Sequence, residues 1–138
     1  MVISKEKAMP FELGVLYTRD QIGDKLGGSK RAYLPNVNDL VTCGCFEPEH
    51  VNPDAPEEVL FGRPDHSPEI NRSADLVFQQ GCKGIDIPIF LKRRVNAWEY
   101  VGQFLCIGIT RDRRVVRRKL ECYPERGDFS GVLRFERM

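Results

Sequence analysis

GIDIPIFLKRRVNAWEYVGQFLC, residues 84–106, is the stretch whose reading decides the fold. Ile87, Ile89 and Leu91 alternate with Pro88, Phe90 and Lys92, a period of two that belongs to a strand. A polar break follows, Lys92-Arg93-Arg94-Val95-Asn96. The chain resumes as Trp98-Glu99-Tyr100-Val101-Gly102-Gln103-Phe104-Leu105-Cys106, rich in aromatic and β-branched residues. This is one long β-hairpin. Its break carries three consecutive cations beside the only tryptophan, so core and candidate function meet here.

Working outward, 138 residues suit one domain, 1–138, with a loose terminus over 1–9. A 41% apolar and 30% charged composition is that of a water-soluble folded chain. The absence of any run of about 18 apolar residues argues against a membrane span. The first residues, Met1 to Lys7, lack the apolar centre of a signal peptide. Five irregularly spaced cysteines then favour reduced thiols and an intracellular, cytoplasmic or nuclear, location over a disulfide framework.

The net charge of +1 conceals an asymmetry. Residues 1–91 carry nine Lys/Arg and fourteen Asp/Glu, residues 92–119 nine and two, and residues 120–138 three and four. One locally basic segment sits on a slightly acidic body. Such a patch draws phosphate backbones; a merely solvated face is the commoner meaning of a charge run.

Upstream, Phe11–Tyr17 reads as a short strand. Thr18 with Gln21 forms a capping box, Tyr17 and Ile22 occupy staple positions, and Gly27-Gly28 is a left-handed stop, which predicts a helix over 19–26. The glycine pair is better read as that stop than as a phosphate cradle, because the P-loop spacing is missing. Residues 29–38 read as loop, 39–46 as a second strand, and 47–68 as a proline-rich loop with a short strand over 57–62. Ser67, Pro68 and Glu69 open a helix that carries Ile70, Ala74, Val77 and Phe78 on one face and stops at Gly81. Between strand and helix, residues 110–123 favour a helix with Val116, Leu120 and Tyr123 on one face and arginines on the other. Residues 129–136 close as a strand. The predicted class is α+β: a curved antiparallel or mixed sheet, or an open barrel, with two to three short helices.

The runs Gly14–Ile22 and Leu26-Gly27-Gly28, together with Ile87–Leu91 and Trp98–Phe104, resemble domains attached to HNH-type restriction endonucleases. Those domains belong to the PUA/SRA-like group of curved β-barrels that read modified nucleic acid. The resemblance covers about a quarter of the chain. The HNH nuclease part is missing, and residues 47–68 depart from the pattern. It implies a non-catalytic nucleic-acid-binding module of restriction-modification type that reads a modified base or backbone in a concave pocket. DNA is the expected partner before RNA, with a second copy of the chain or a partner nuclease as open protein partners, no membrane role and no cofactor. Such a pocket needs aromatic faces, drawn from Tyr17, Tyr33, Trp98 and Tyr100, and edge-reading groups, Asp86 and Asn96. It also needs rim cations, from Arg19, Lys30, Arg31, Lys92, Arg93 and Arg94, with Arg113, Arg114, Arg117 and Arg118 in reserve. Each aromatic has core packing as its plain alternative; for Trp98 and Tyr100, which share one strand face by i, i+2 spacing, the two weigh equally, and for Tyr17 the staple role is sufficient. Binding is expected to suffer most from charge reversal at Arg93 and Arg94.

Other chemistries are weaker. Cys43-x-Cys45 near His50 or His66 lacks zinc-site spacing, so buried thiols are favoured and no metal is expected. A Cys/His hydrolase has no local signature, and the acids Glu57, Glu58, Asp65 and Glu69 suit a solvated loop. The chief rival is a protein-interaction or small-ligand domain.

Overall fold

The computed structural model describes residues 11–48, 51–52, 55–62, 68–121 and 129–138. The hairpin is its frame. Strand β7 (Ile87–Arg94) runs antiparallel to β8 (Ala97–Thr110). Only Val95 and Asn96 turn between them, because Asn96 takes the left-handed conformation at φ 48°. The polar break expected over 92–96 is therefore mostly strand, and the three cations alternate along it.

The other elements, in chain order, are β1 (Leu16–Tyr17), α1 (Arg19–Leu26), β2 (Asn36–Val37), β3 (Leu40–Val41), β4 (Gly44–Phe46), β5 (Val51–Asn52), β6 (Ala55–Phe61) and α2 (Pro68–Cys82), then α3 (Arg113–Glu121) and β9 (Gly131–Arg137) after the hairpin. The main sheet runs β4-β7-β8-β9-β6-β5, with β1 also on β8, and only β4–β7 is parallel. The class is thus α+β with a mixed sheet and three helices. Register shifts within β7–β8 and β8–β9 curve it. Among the described residues no pairing joins β4 to β5 to close a barrel.

Strand β8 is long enough to serve two partners on one edge, β1 at its start and β9 from Phe104 onward. The main core, with Phe46, Phe61, Ile89, Phe104 and Leu133, lies between the sheet and α2. A second cluster at the hairpin end gathers Phe11, Ile22, Cys43, Cys45, Phe90, Trp98 and Tyr100. A third packs Val116 of α3 onto Leu60, Phe129 and Val132.

Helix α1 has its expected bounds. Thr18 Oγ1 accepts from Gln21 N–H, and Gln21 Oε1 accepts from Thr18 N–H. Helix α3 is helical as expected, with Val116 buried and Asp112 accepting the Arg114 N–H; Tyr123 lies outside the described residues. So do the terminus over 1–9, His50, His66 and Ser67.

Four expectations are corrected. The first strand shrinks to Leu16–Tyr17, since Phe11 turns into the second cluster. The strand expected over 39–46 is two. Asn38 and Asp39 both have positive φ, which folds β2 onto β3 as a small separate hairpin, and the chain bends before β4 joins the main sheet. Residues 36–37, read as loop, are its first strand. Finally, Gly81 does not stop α2: a Cβ there would collide with the Cys106 carbonyl oxygen of β8, so glycine is needed for close helix–sheet approach. The helix ends one residue later, at Cys82, with Ile85 N–H returning to Gln80 O and Gly84 at φ 79°.

Candidate nucleic-acid interface

A cleft of about 790 Å³ opens beside the second cluster. Its walls are the start of α1, the segment 29–36, the end of β4, the β6 end at Leu60–Gly62, the first turns of α2, and the hairpin. It brings together Arg19, Lys30, Arg31, Tyr33, Lys92, Asn96 and Trp98, seven of the twelve residues expected from sequence.

Arg19 organises this site. As the first residue of α1 its backbone N–H donates to Asn96 Oδ1 at 3.0 Å, which ties the hairpin turn to the helix. Its Nη2 donates to the carbonyls of Ser29 (3.2 Å) and Ala32 (2.9 Å) and so fixes the facing wall. The guanidinium lies over Trp98, 5.1 Å from the ring centroid, while its buried Nε has no hydrogen-bond partner. Lys92, which faces Trp98 in the β7–β8 register, places Nζ 5.8 Å from the same ring. Trp98 is only 6% exposed. It is a core residue that also lines the cleft.

The cations differ in how far they are already neutralised. Lys30 meets Asp24 at 3.1 Å and Asp20 at 3.4 Å, and the hydrogen bond to Asp24 raises its pKa. Lys92 meets Glu47 at 3.0 Å, and Arg72, a lining residue on α2, meets Asp39 at 2.5 Å. Arg31 is exposed and has no carboxylate partner among the described residues. Tyr33 lends its ring to the wall; its hydroxyl donates to Ile70 O at 2.6 Å, and burial raises its pKa.

The other five expected residues lie off the cleft lining. Tyr17 packs edge-on against Phe11, and its hydroxyl accepts from Glu12 N–H. Tyr100, 2% exposed, is core. Its hydroxyl donates to Gln103 Oε1 (2.9 Å), and Gln103 Nε2 donates to Asp86 (3.2 Å), a polar chain that occupies Asp86. Arg93 pairs with Glu99 at 2.7 Å, and Arg94 is exposed. Of the reserve arginines, Arg113 donates to Phe129 O and Arg114 pairs with Asp112.

Sequence reasoning missed Glu47, Arg72, Ser73 and Phe61, which reach the cleft from distant segments. It also missed Cys45, whose thiol lies 3.9 Å from that of Cys43 beneath the cleft. Among the described residues no three His, Cys, Asp or Glu side chains come together to hold a metal ion, and no helix is long and apolar enough to cross a membrane. No protein-family model, no curated protein and no solved structure matches the chain.

Proposed function

We propose that the cleft binds nucleic acid, DNA in preference to RNA, and reads a modified base or backbone without making or breaking bonds, as a module of PUA/SRA-like type. The observation that carries the reading is convergence. Arg19, Lys30, Arg31, Arg72 and Lys92 line one concavity, where Glu47 is the single lining carboxylate among the described residues, beside the aromatic rings of Tyr33, Phe61 and Trp98. The open, curved sheet supports the architecture. A volume of about 790 Å³ admits an extruded nucleotide. Since Trp98 is covered, the surface a base would meet is the Arg19 guanidinium backed by the indole, a stack that tolerates any base.

One observation favours a second reading. Lys30, Arg72 and Lys92 are already paired with carboxylates, which suits a small ligand more than a polyanion. A binding screen at low salt across unmodified, base-modified and phosphorothioate DNA and RNA separates the two. Nucleic-acid binding predicts that log affinity falls against log salt with a slope of about −2 to −4, for two to four duplex phosphates. Absence of affinity for every polymer at low salt overturns the proposal in favour of the small-ligand reading.

A further inference from the structure

We infer that Cys43 and Cys45 form a redox-active dithiol beneath the cleft, which a peroxide-class oxidant converts to a disulfide. Their sulfurs are 3.9 Å apart on one side of the chain, separated only by Gly44. Both residues are buried, yet Cys45 lines the cleft and so gives a small oxidant a route in. The pair is polarised. The hydrogen bond between the sulfurs lowers the pKa of Cys43, with help from the Thr42 hydroxyl and the Arg19 charge against the cost of burial, and raises that of Cys45.

One sulfur of the pair, as thiolate, attacks one peroxide oxygen, the O–O bond breaks, and the leaving oxygen takes a proton to depart as alcohol or water. The resulting sulfenic acid is attacked by the second sulfur. The S–S bond forms, and the sulfenic hydroxyl leaves as water with the proton of the second thiol. In sum, two thiols and one peroxide give a disulfide, one alcohol or water, and one further water.

Closure has a structural consequence. Residues i and i+2 of an extended strand are about 6.4–6.8 Å apart between Cα atoms, at the upper end of what a disulfide spans. Closing the 3.9 Å gap between the sulfurs draws the chain in at Gly44. Gly44 pairs with Ile89 of β7, and Cys45 N–H donates to Tyr33 O at 2.8 Å, holding the wall segment. Both sulfurs pack in the cluster of Trp98. Oxidation thus reaches the cleft wall through Tyr33 and its floor through Trp98.

The full chain carrying Cys82→Ser, to remove an exposed thiol on α2, is reduced and treated with stoichiometric hydrogen peroxide. It is then denatured in alkylating reagent and mapped by mass. The expected result is a peptide containing Cys43 and Cys45 that has lost two hydrogens and takes no alkyl group until reduced, together with a reversible shift of Trp98 emission. Double alkylation of that peptide overturns the dithiol. A disulfide that leaves Trp98 emission unchanged overturns its coupling to the cleft. Because the mapping is done with both thiols native, no destabilised cysteine variant enters it, and neither readout depends on nucleic-acid binding.

Discussion

Replacing Arg19 with alanine tests the site most directly, because that side chain holds two cleft walls together. The variant loses two charge-assisted hydrogen bonds, to Ser29 O and Ala32 O, each worth about 1.5–3 kcal/mol when shielded. It also loses the contact over Trp98, worth about 0.5–2 kcal/mol. Against this, removal of the buried, unpartnered Nε relieves a penalty of about 1–3 kcal/mol. The Ser29 bond is exposed, which places the first terms at the low end, and a net loss of about 2 kcal/mol is expected. In urea this lowers the unfolding midpoint with an unchanged slope; on heating it lowers Tm by about 6–10 °C. Trp98 is the only tryptophan, so its native emission should shift to the red as water reaches the ring. Arg19→Lys keeps the charge without the planar fork and should recover less than half of the loss. An Arg19→Ala protein with wild-type midpoint and emission would refute the clamp.

Gly81→Ala should cost about 2–3 kcal/mol in urea unfolding, although the same change at an open helix site would gain about 1 kcal/mol, because the obstructing atom is a carbonyl oxygen of β8. Thr18→Ala removes the α1 capping box and should cost about 1 kcal/mol, read in the same assay. Burial pushes the Cys106 thiol up to about 11 from its ordinary value of 9.0. The folded chain therefore keeps a proton that the unfolded chain releases, so this contribution to stability is complete below pH 9 and is lost as pH rises towards 11. A Cys106→Ala comparison of urea midpoints across that window checks the sign, and pulsed alkylation at pH 8 should modify exposed Cys82 well before Cys106.

What could be read from sequence was local. The capping box of α1 is completed within four residues, and the β7–β8 pattern sits on one continuous stretch, so each element was legible without knowledge of its partners. The β2–β3 hairpin was not, because its strands are two residues long and its turn uses Asn38-Asp39 rather than a glycine. Gly81 was misread for a physical reason: glycine ends helices and also permits close approach, and only the presence of the Cys106 carbonyl decides between these. The site divides in the same way. Cations and aromatics were visible as residue types. That Glu47 would neutralise Lys92, and Asp39 Arg72, depends on contacts across about 30 to 45 residues.

The three cations of the hairpin show where counting charge misleads. Lys92, Arg93 and Arg94 are consecutive, and as a run they look like one binding patch. On strand β7 they separate: Lys92 turns to Trp98 and Glu47, Arg93 pairs with Glu99, and Arg94 stays exposed away from the cleft lining. If the cleft is the binding surface, Arg31 matters more than Arg94, although neither has a carboxylate partner among the described residues and both are exposed. Arg31→Glu and Arg94→Glu make the same change of charge on two such sites, so stability and net charge cancel in the comparison. A lost phosphate contact in the cleft should lower DNA affinity about tenfold and flatten the salt slope by about 1. Arg94→Glu acts only at a distance, and with a screening length of about 10 Å at 0.1 M salt it should change affinity less than about threefold, an effect that vanishes at higher salt. Equal losses from the two variants, or a larger one from Arg94→Glu, would move the binding surface from the cleft to the hairpin turn.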